Sequence, residues 1–360
     1  MKNILIICDY SDVHGFAVEW GLRKAGQNAH VVDLSDPQSL NDFTVIIKNE
    51  ARPVITYQGS AIDICWARRM RPLNFSKLSM APHLAKHIAG ELHSFRDNLL
   101  YGMANSENTC FINSYNALLN AEQKCVQLMA ADRMGLKIPY TLISNQSHRV
   151  EELLGAPYCV VVKPFSPHHW RMKERQMRRV AVANRLTTQK FKSLDKATIE
   201  ACPAIYQEEI KKTHDIRAAV IGNEVFCSIC EASDEMLDSR FLEGVSKKPY
   251  NLPPNIQQKL IALLSGFGLD ICSADLVIDS RGDHYFIELN PSGAMLMLEE
   301  QCALPVLERL VSHFCGQSVN CNISYDQFRK SEEFATISQK YADFMNSQYV
   351  AGASNHVSIC

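Results

Sequence analysis

Short apolar runs alternate with amphipathic stretches through the first third of the chain. Ile4–Cys8 is a continuous apolar run of strand length, the pattern of a strand buried on both faces. From His14 to Lys24 the apolar positions Phe16, Trp20 and Leu22 recur with helical periodicity, and Gly26 supplies a stop. His30–Leu34 reads as a second strand, so the chain opens as a βαβ unit of the doubly wound kind. Its first loop, D-Y-S-D-V-H-G, lacks the glycine spacing of a dinucleotide fingerprint. A strand-like run from Pro53 leads to Ile62–Trp66, and residues 73–110 read as mostly helical.

A new unit starts near Asn113. The apolar spacing predicts one helix over Ala117–Met134 with Gly135 as its stop, then strands at Tyr140–Ser144 and Val160–Lys163. Strands follow at Ala204–Glu208, Arg217–Ile221 and Val225–Cys230, the last two joined by a Gly222-Asn223 turn. Pro254–Leu264 is an amphipathic helix opened by proline. Residues 165–190 break the pattern. They are basic and rich in His and Met, and read either as a mobile lid or as a solvated basic helix. The last forty residues are polar and weakly periodic, and suggest an added helix and a disordered tail.

Bulk properties narrow the function classes. The 360 residues are 46% hydrophobic and 21% charged, with a net charge of −2, so overall charge gives no argument for nucleic-acid or membrane binding. No run of eighteen apolar residues appears, so no membrane span is expected. The opening M-K-N-I-L-I-I-C-D-Y reads as a strand rather than a secretory signal. These features lead us to expect a cytoplasmic protein. The 13 cysteines are scattered; Cys65, Cys159 and Cys272 sit among apolar residues, which suggests buried, reduced thiols more than a catalytic one. C-S-I-C at 227–230 lies in a strand-like run with no second pair at zinc-finger spacing, and no lipidation box surrounds Cys360.

The chemistry concentrates in S-A-D-L-V-I-D-S-R-G-D-H-Y-F-I-E-L-N-P-S-G, residues 273–293. If Arg281-Gly282 forms a two-residue hairpin loop, Ser280 pairs with Asp283 and Asp275 falls opposite Glu288. Strand alternation puts Glu288 and Asn290 on one face, with Ile287 and Leu289 on the other. Two facing carboxylates repel unless a positive charge lies between them. Asp275, Glu288 and Asn290 therefore suit Mg²⁺. The alternative is a solvated hairpin face with a protonated or lysine-paired carboxylate.

These motifs resemble those of ATP-grasp ligases. The strand-borne Asp275 followed by E-L-N-P-S-G is similar to that family's metal signature. Lys124 before G-L-K-I-P-Y-T-L, Lys163 in V-V-V-K-P, Gln207-Glu208-Glu209-Ile210 and Asp215-Ile216-Arg217 fall in the family's order. The resemblance spans roughly residues 110–315. It implies an α/β protein with an ATP-grasp fold, two α+β lobes clasping ATP, preceded by a doubly wound pre-ATP-grasp domain. The implied divisions are 1–112, a central lobe with lid 113–203, a carboxy-terminal lobe 204–318 and a tail 319–360.

ATP and Mg²⁺ are the implied cofactors. Lys124, Lys163 and Lys212 would meet the nucleotide, whose phosphates need cations, and Gln207–Ile210 would hold adenine through an extended backbone. Arg217 and Arg240 would stabilise charge on the transferred phosphoryl group, although Arg217 also suits a cross-strand ion pair. The family's glycine-rich phosphate loop is replaced by 165–180, which has no glycine; His168, His169, Arg171, Lys173 and Arg175 are the candidate phosphate contacts there.

The amino-terminal segments C-D-Y-S-D-V-H-G-F-A-V and I-C-W-A-R-R-M-R-P resemble the front domain of microviridin-type graspetide ligases, RimK-like peptide maturases. That resemblance implies a precursor peptide, leader plus acidic core, as partner. Its Asp/Glu side chains would be joined to Lys or Ser/Thr. It implies no nucleic acid and no membrane, and leaves a homodimer open. Ligation of a free amino acid or small acid is the second reading. A non-catalytic nucleotide-binding module for peptide recognition is the third.

Overall fold

The structure is a computed structural model that describes residues 1–49, 51–75, 81–165, 169–172, 177–180, 183–232, 237, 246–319 and 322–339. The apolar run at the start forms β1 (Asn3–Ile7), followed by α1 (Val13–Lys24) and β2 (Asn28–Val32). Asp12 caps α1 by accepting from the His14 amide. Residues 43–61 form β3 (Phe43–Lys48), β4 (Ala51–Tyr57) and β5 (Ser60–Ala61), a three-stranded antiparallel sheet that the periodicity did not separate. Gln58 and Gly59, both at positive φ, make its tight turn. The chain then returns through β6 (Ile64–Ala67), α2 (Pro82–Ala104) and β7 (Cys110–Ile112). β2, β1, β6 and β7 lie side by side in that order, all parallel. Strand order reverses between β1 and β6, and the carboxyl ends of strands at such a switch point are where open α/β sheets bind ligands.

The single helix expected over Ala117–Met134 is two helices, α3 (Tyr115–Ala121) and α4 (Lys124–Arg133). Gln123 is extended at φ −78°, ψ 104° and breaks the helix, while Gln127 Nε2 satisfies the freed carbonyl of Ala121 at 2.5 Å. A one-residue break leaves apolar spacing almost intact, so periodicity cannot see it.

The chain continues through β8 (Thr141–Ser144), α5 (Ser147–Leu154), β9 (Val160–Lys163), β10 (His169–Met172), β11 (Met177–Val180) and β12 (Asn184–Leu186). α6 (Thr188–Lys192), α7 (Lys196–Glu200) and β13 (Ala204–Glu208) complete this part. β12, β9, β13 and β8 form an antiparallel sheet backed by Val150, Leu153, Phe191 and Ile199. Within 165–190, where a lid loop or a basic helix was expected, the described residues include β10 and β11, paired antiparallel with His169 opposite Val180 and Arg171 opposite Arg178; residues 166–168, 173–176 and 181–182 lie outside the described residues.

The last sheet comprises β14 (Lys212–Ile221), β15 (Glu224–Glu231), β16 (Lys248–Tyr250), β17 (Ile271–Asp279) and β18 (His284–Asn290), with α8 (Pro254–Phe267) before β17. α9 (Met297–Cys302), α10 (Val306–Cys315) and α11 (Tyr325–Arg329) follow. The strand order is β16-β15-β14-β17-β18, antiparallel throughout. Ile216, Ala218 and Val220 of β14 pack with Leu260, Leu263 and Leu264 of α8. Ala219 and Ile221 belong to the other face, in a cluster with Leu307, Leu310 and Val311 of α10 and with Ile4, Ile6 and Leu22. Strand alternation places Arg217 on that second face as well. No described helix is long and apolar enough to cross a membrane.

Candidate functional site

Asp275 faces Glu288 across β17 and β18, as the sequence suggested, but by a different route. The hairpin loop has three residues rather than two: Ile278 pairs with His284, Asp279 N donates to Asp283 O at 3.0 Å, and Gly282 sits at φ 85°, the left-handed position such loops require. That change alone would misalign the carboxylates by one position. A β-bulge after Asp275 restores the register, and Ser273 then pairs with Asn290. The bulge also redirects side chains. Phe286 and Leu289 are buried, whereas Ile287, expected beside Leu289, is half-buried.

Cross-strand pairing lines up four charges. Arg217 of β14 faces Asp275, which faces Glu288. Arg217 Nη1 lies 2.5 Å from Asp275 Oδ1, and Lys124 Nζ of α4 lies 2.5 Å from Glu288 Oε2. The two inner carboxylates are thus each neutralised from outside. Their other oxygens converge on Asn290, whose Nδ2 donates to Glu288 Oε1 at 3.1 Å and to Asp275 Oδ2 at 3.3 Å. All four charged side chains retain some exposure, between 18% and 24%, so the row is within reach of a ligand. The Asn290 amide orientation follows from the hydrogen-bond network; turned over, it presents a third oxygen to the same point. Two carboxylates and an amide carbonyl form a hard-oxygen set that fits Mg²⁺.

The row is held in part by a residue outside the motifs, Gln127, and in part by the glycine that ends E-L-N-P-S-G. Gln127, buried on α4, exchanges two hydrogen bonds with the backbone of Leu289: Leu289 N donates to Oε1 at 2.8 Å and Nε2 donates to Leu289 O at 3.0 Å. This amide therefore caps the open edge of β18 and sets Lys124 beside Glu288. A buried glutamine in the apolar stripe of a helix is the only sequence clue to it. Gly293 lies against Ser273 and Arg217: a Cβ there would fall 2.6 Å from Ser273 Cβ and 2.7 Å from Arg217 Nη2. No larger residue fits over the ion pair.

The other described candidates lie on β9 and along the stretch from the end of β13 to the start of β14, which joins the last two sheets. Gln207 is buried and donates from Nε2 to Thr141 Oγ1 at 2.9 Å. The amides of Glu208 and Glu209 donate to Tyr140 O and Cys159 O at 2.9 and 2.7 Å. A nucleobase edge read here would meet other backbone groups of the segment. Strand character ends at Glu208, short of the expected Ile210. The Glu209 carboxylate pairs with Arg185. Lys212 Nζ bonds both oxygens of Asp215, at 2.6 and 2.8 Å, and Leu237 O at 2.8 Å. Lys163 ends β9, half-buried opposite Ile205. Arg240, His168, Lys173 and Arg175 lie outside the described residues.

Among the cysteines, burial pushes Cys227 and Cys272 up to about 12, so they are inert thiols. Cys65 is buried too, but Cys159 is exposed, contrary to expectation, because it precedes β9 rather than lying inside it.

The amino-terminal sheet abuts the E-L-N-P-S-G loop through two arginines following β6. Arg68 forms a buried pair with Asp12, Nε to Oδ2 at 2.6 Å, and its Nη2 donates to Ser292 O at 3.4 Å and Gly293 O at 3.3 Å. Burial would raise the Asp12 carboxyl, but the charge and hydrogen bond of Arg68 outweigh it and hold Asp12 below its ordinary range. Arg69 Nε donates to Ser292 O at 3.3 Å. His14, behind these residues, is driven down to about 3 by burial and then by Arg68, and its imidazole is neutral at physiological pH.

This geometry agrees with what known proteins resemble the chain. Residues 120–313 match the model of the RimK-like ATP-grasp domain. An alpha-aminoadipate–LysW ligase, LysX, of Sulfurisphaera tokodaii is 26% identical over 184 residues, covering 50% of this chain and 62% of that protein. The chain thus spans less than two thirds of that relative's length. Two solved structures share its fold. Macrocyclase MdnC bound with precursor peptide MdnA, from Microcystis aeruginosa MRC, superposes with a TM-score of 0.71 at 21% identity, covering 87% of this chain and 99% of that one. A Chryseobacterium gregarium RiPP-associated ATP-grasp ligase, in complex with ADP and a leader and core peptide, gives 0.72 at 19% identity, covering 88% and 97%. The family model covers more than half of the chain, and the metal-type carboxylates, the flanking cations and the inter-sheet segment all fall inside it, so the chain belongs to the RimK-like ATP-grasp family.

Proposed function

We propose that this protein is an ATP-dependent ligase that joins side-chain carboxylates of a ribosomally made precursor peptide to amines or hydroxyls of the same peptide. The observation that carries the reading is the row Arg217, Asp275, Glu288, Lys124, whose inner carboxylates converge on Asn290. A purely structural face would not need two facing carboxylates. Shape supports the peptide as substrate, since the fold extends over nearly the whole of two enzymes whose structures contain precursor or core peptides.

In this reading ATP phosphorylates a peptide carboxylate, ADP leaves, and an amine or hydroxyl attacks the acyl phosphate and expels inorganic phosphate. Asp275, Glu288 and Asn290 would hold Mg²⁺, which supplies charge neutralisation at the transferred phosphoryl group. Lys124 and Lys163 would meet the phosphates. Arg217, paired to Asp275, is positioned to stabilise charge on the phosphoryl and acyl-phosphate oxygens, and Arg240 is assigned the same work from sequence alone. Residues 207–210 would bind the adenine edge, with Lys212 beside them. Placement and charge provide most of the acceleration.

The test is the mass of a precursor peptide after incubation with the protein, ATP and Mg²⁺. Loss of one water per bond is expected, abolished by Glu288→Gln while ATP binding survives. An unchanged mass for every candidate peptide, with no ADP formed, overturns the ligase reading. A second reading, ligation of a free amino acid or small acid, is favoured by the sequence likeness to an aminoadipate ligase. It predicts a mass gain instead.

A further inference from the structure

Three arginines and a neutral histidine gather where the carboxyl ends of β1 and β6 meet the E-L-N-P-S-G loop. Arg68 is neutralised by Asp12, and Arg217 by Asp275. Arg69 differs. It is exposed, and among the described residues it pairs with no carboxylate. Its Nε is anchored on Ser292 O, and its own carbonyl accepts from Asp9 N at 3.3 Å. Both ends of the residue are therefore fixed, one to the loop after β1 and the other to the loop that follows Asn290. A guanidinium held at Nε keeps its terminal nitrogens for a further acceptor, in the fork geometry that fits a carboxylate.

The surroundings favour an anion there. Arg71, two residues on, pairs with Asp9 and donates to Ser11 Oγ at 2.9 Å, so the local acids of the β1 loop are already engaged. His14 sits in the same cluster. Its Nδ1 is buried without a partner, and the charges of Arg68, Arg69 and Arg217 all act on it in the direction that keeps it neutral. Asp12, the acid that acts on it, is already paired by Arg68. Arg69 thus brings a cation to the topological switch point between β1 and β6, the place where such sheets bind ligands.

We propose that Arg69 is the recognition residue for the acyl donor: it binds the side-chain carboxylate of a peptide Asp or Glu and presents it to the metal-type patch across the Ser292 loop. This inference rests on the ligase reading. It adds a residue of the amino-terminal sheet to a site whose other members all come from the ATP-grasp domain. Arg69 would set specificity for a carboxylate over its amide, and would act on peptide binding rather than nucleotide binding.

The test uses the full chain with ADP and Mg²⁺ and a fluorescent peptide whose ends are acetylated and amidated, so that Asp and Glu side chains are its only carboxylates. A second peptide replaces them by Asn and Gln. The acidic peptide is expected to bind more tightly by roughly tenfold or more, the equivalent of one charge-assisted hydrogen bond. Arg69→Gln should erase that preference, Arg69→Lys should keep part of it, and ADP affinity should stay within about twofold in both, which also reports that the variants are folded. Preference retained in Arg69→Gln, or absent from the unaltered protein, overturns the proposal. The two readings fail separately. An Arg69-dependent preference without ATP consumption on any peptide removes the ligase and leaves the carboxylate site. ATP-driven water loss with the peptide KM unchanged in Arg69→Gln removes the site and leaves the ligase.

Discussion

Single residues decide whether the charge row exists at all. Gly293 is the tightest of them, because Ser273 and Arg217 leave no room for a Cβ. Gly293→Ala should displace Arg217 from Asp275 and lower stability by about 1–3 kcal/mol, the usual cost of overpacking. Ser273→Gly in the same chain should return part of that loss, because it removes one of the two colliding side chains. Urea unfolding of the single and double variants measures both effects, and strict additivity would count against the contact. His14 gives a pH signature. Its folded value of about 3 lies below its ordinary value of 6.5, so between those limits the unfolded chain binds a proton that the folded chain refuses. Stability is therefore full above 6.5 and falls as the pH drops through this window, at up to about 1.4 kcal/mol per pH unit. His14→Phe, which keeps a ring beside Tyr325, should flatten the slope between pH 6 and about 4.5. Parallel curves for the two proteins would show that His14 is not buried neutral.

At the scale of elements, the facing of Asp275 and Glu288 was legible in the sequence, but its mechanism was not. Alternation locates the two strands and turn residues locate the loop. Loop length and a bulge, however, each shift register by one position, and here the two shifts cancel. The placement of Phe286 in the core, on the wrong side for unbroken alternation, records the bulge. The break between α3 and α4 was hidden for a related reason. Its cause is Gln123 in an extended conformation, while the consequence that matters is long-range, with Gln127 reaching the backbone of Leu289. Gln127→Leu should leave the amide and carbonyl of Leu289 without partners in a buried edge, and cost about 2–4 kcal/mol in urea unfolding. A loss below about 0.5 kcal/mol would mean that the strand edge is satisfied in another way. The β3–β5 sheet was missed because its first strand, Phe43–Lys48, is exposed at every position after Phe43. A strand without a buried face has no period for sequence reading to detect.

For the molecule as a whole, the order of short motifs was more informative than any one of them. Lys124, Lys163, the 207–210 segment, Arg217 and the Asp275/Glu288/Asn290 set are dispersed over more than 160 residues, yet Lys124 closes on Glu288 across 164 positions. What the sequence could not convey was the junction with the amino-terminal sheet. Arg68 reaches the Ser292 loop across 224 residues and is buried against Asp12, a contact with no local pattern to announce it. The central claim is that carboxylate activation passes through an acyl phosphate, and oxygen tracing tests it most directly. A precursor peptide carrying ¹⁸O in its Asp and Glu side-chain carboxylates would be incubated with the protein, ATP and Mg²⁺, and the released inorganic phosphate analysed by mass. The account predicts one ¹⁸O transferred to phosphate for each bond formed, with ADP as the other product. Unlabelled phosphate, or AMP and pyrophosphate in place of ADP, would contradict it.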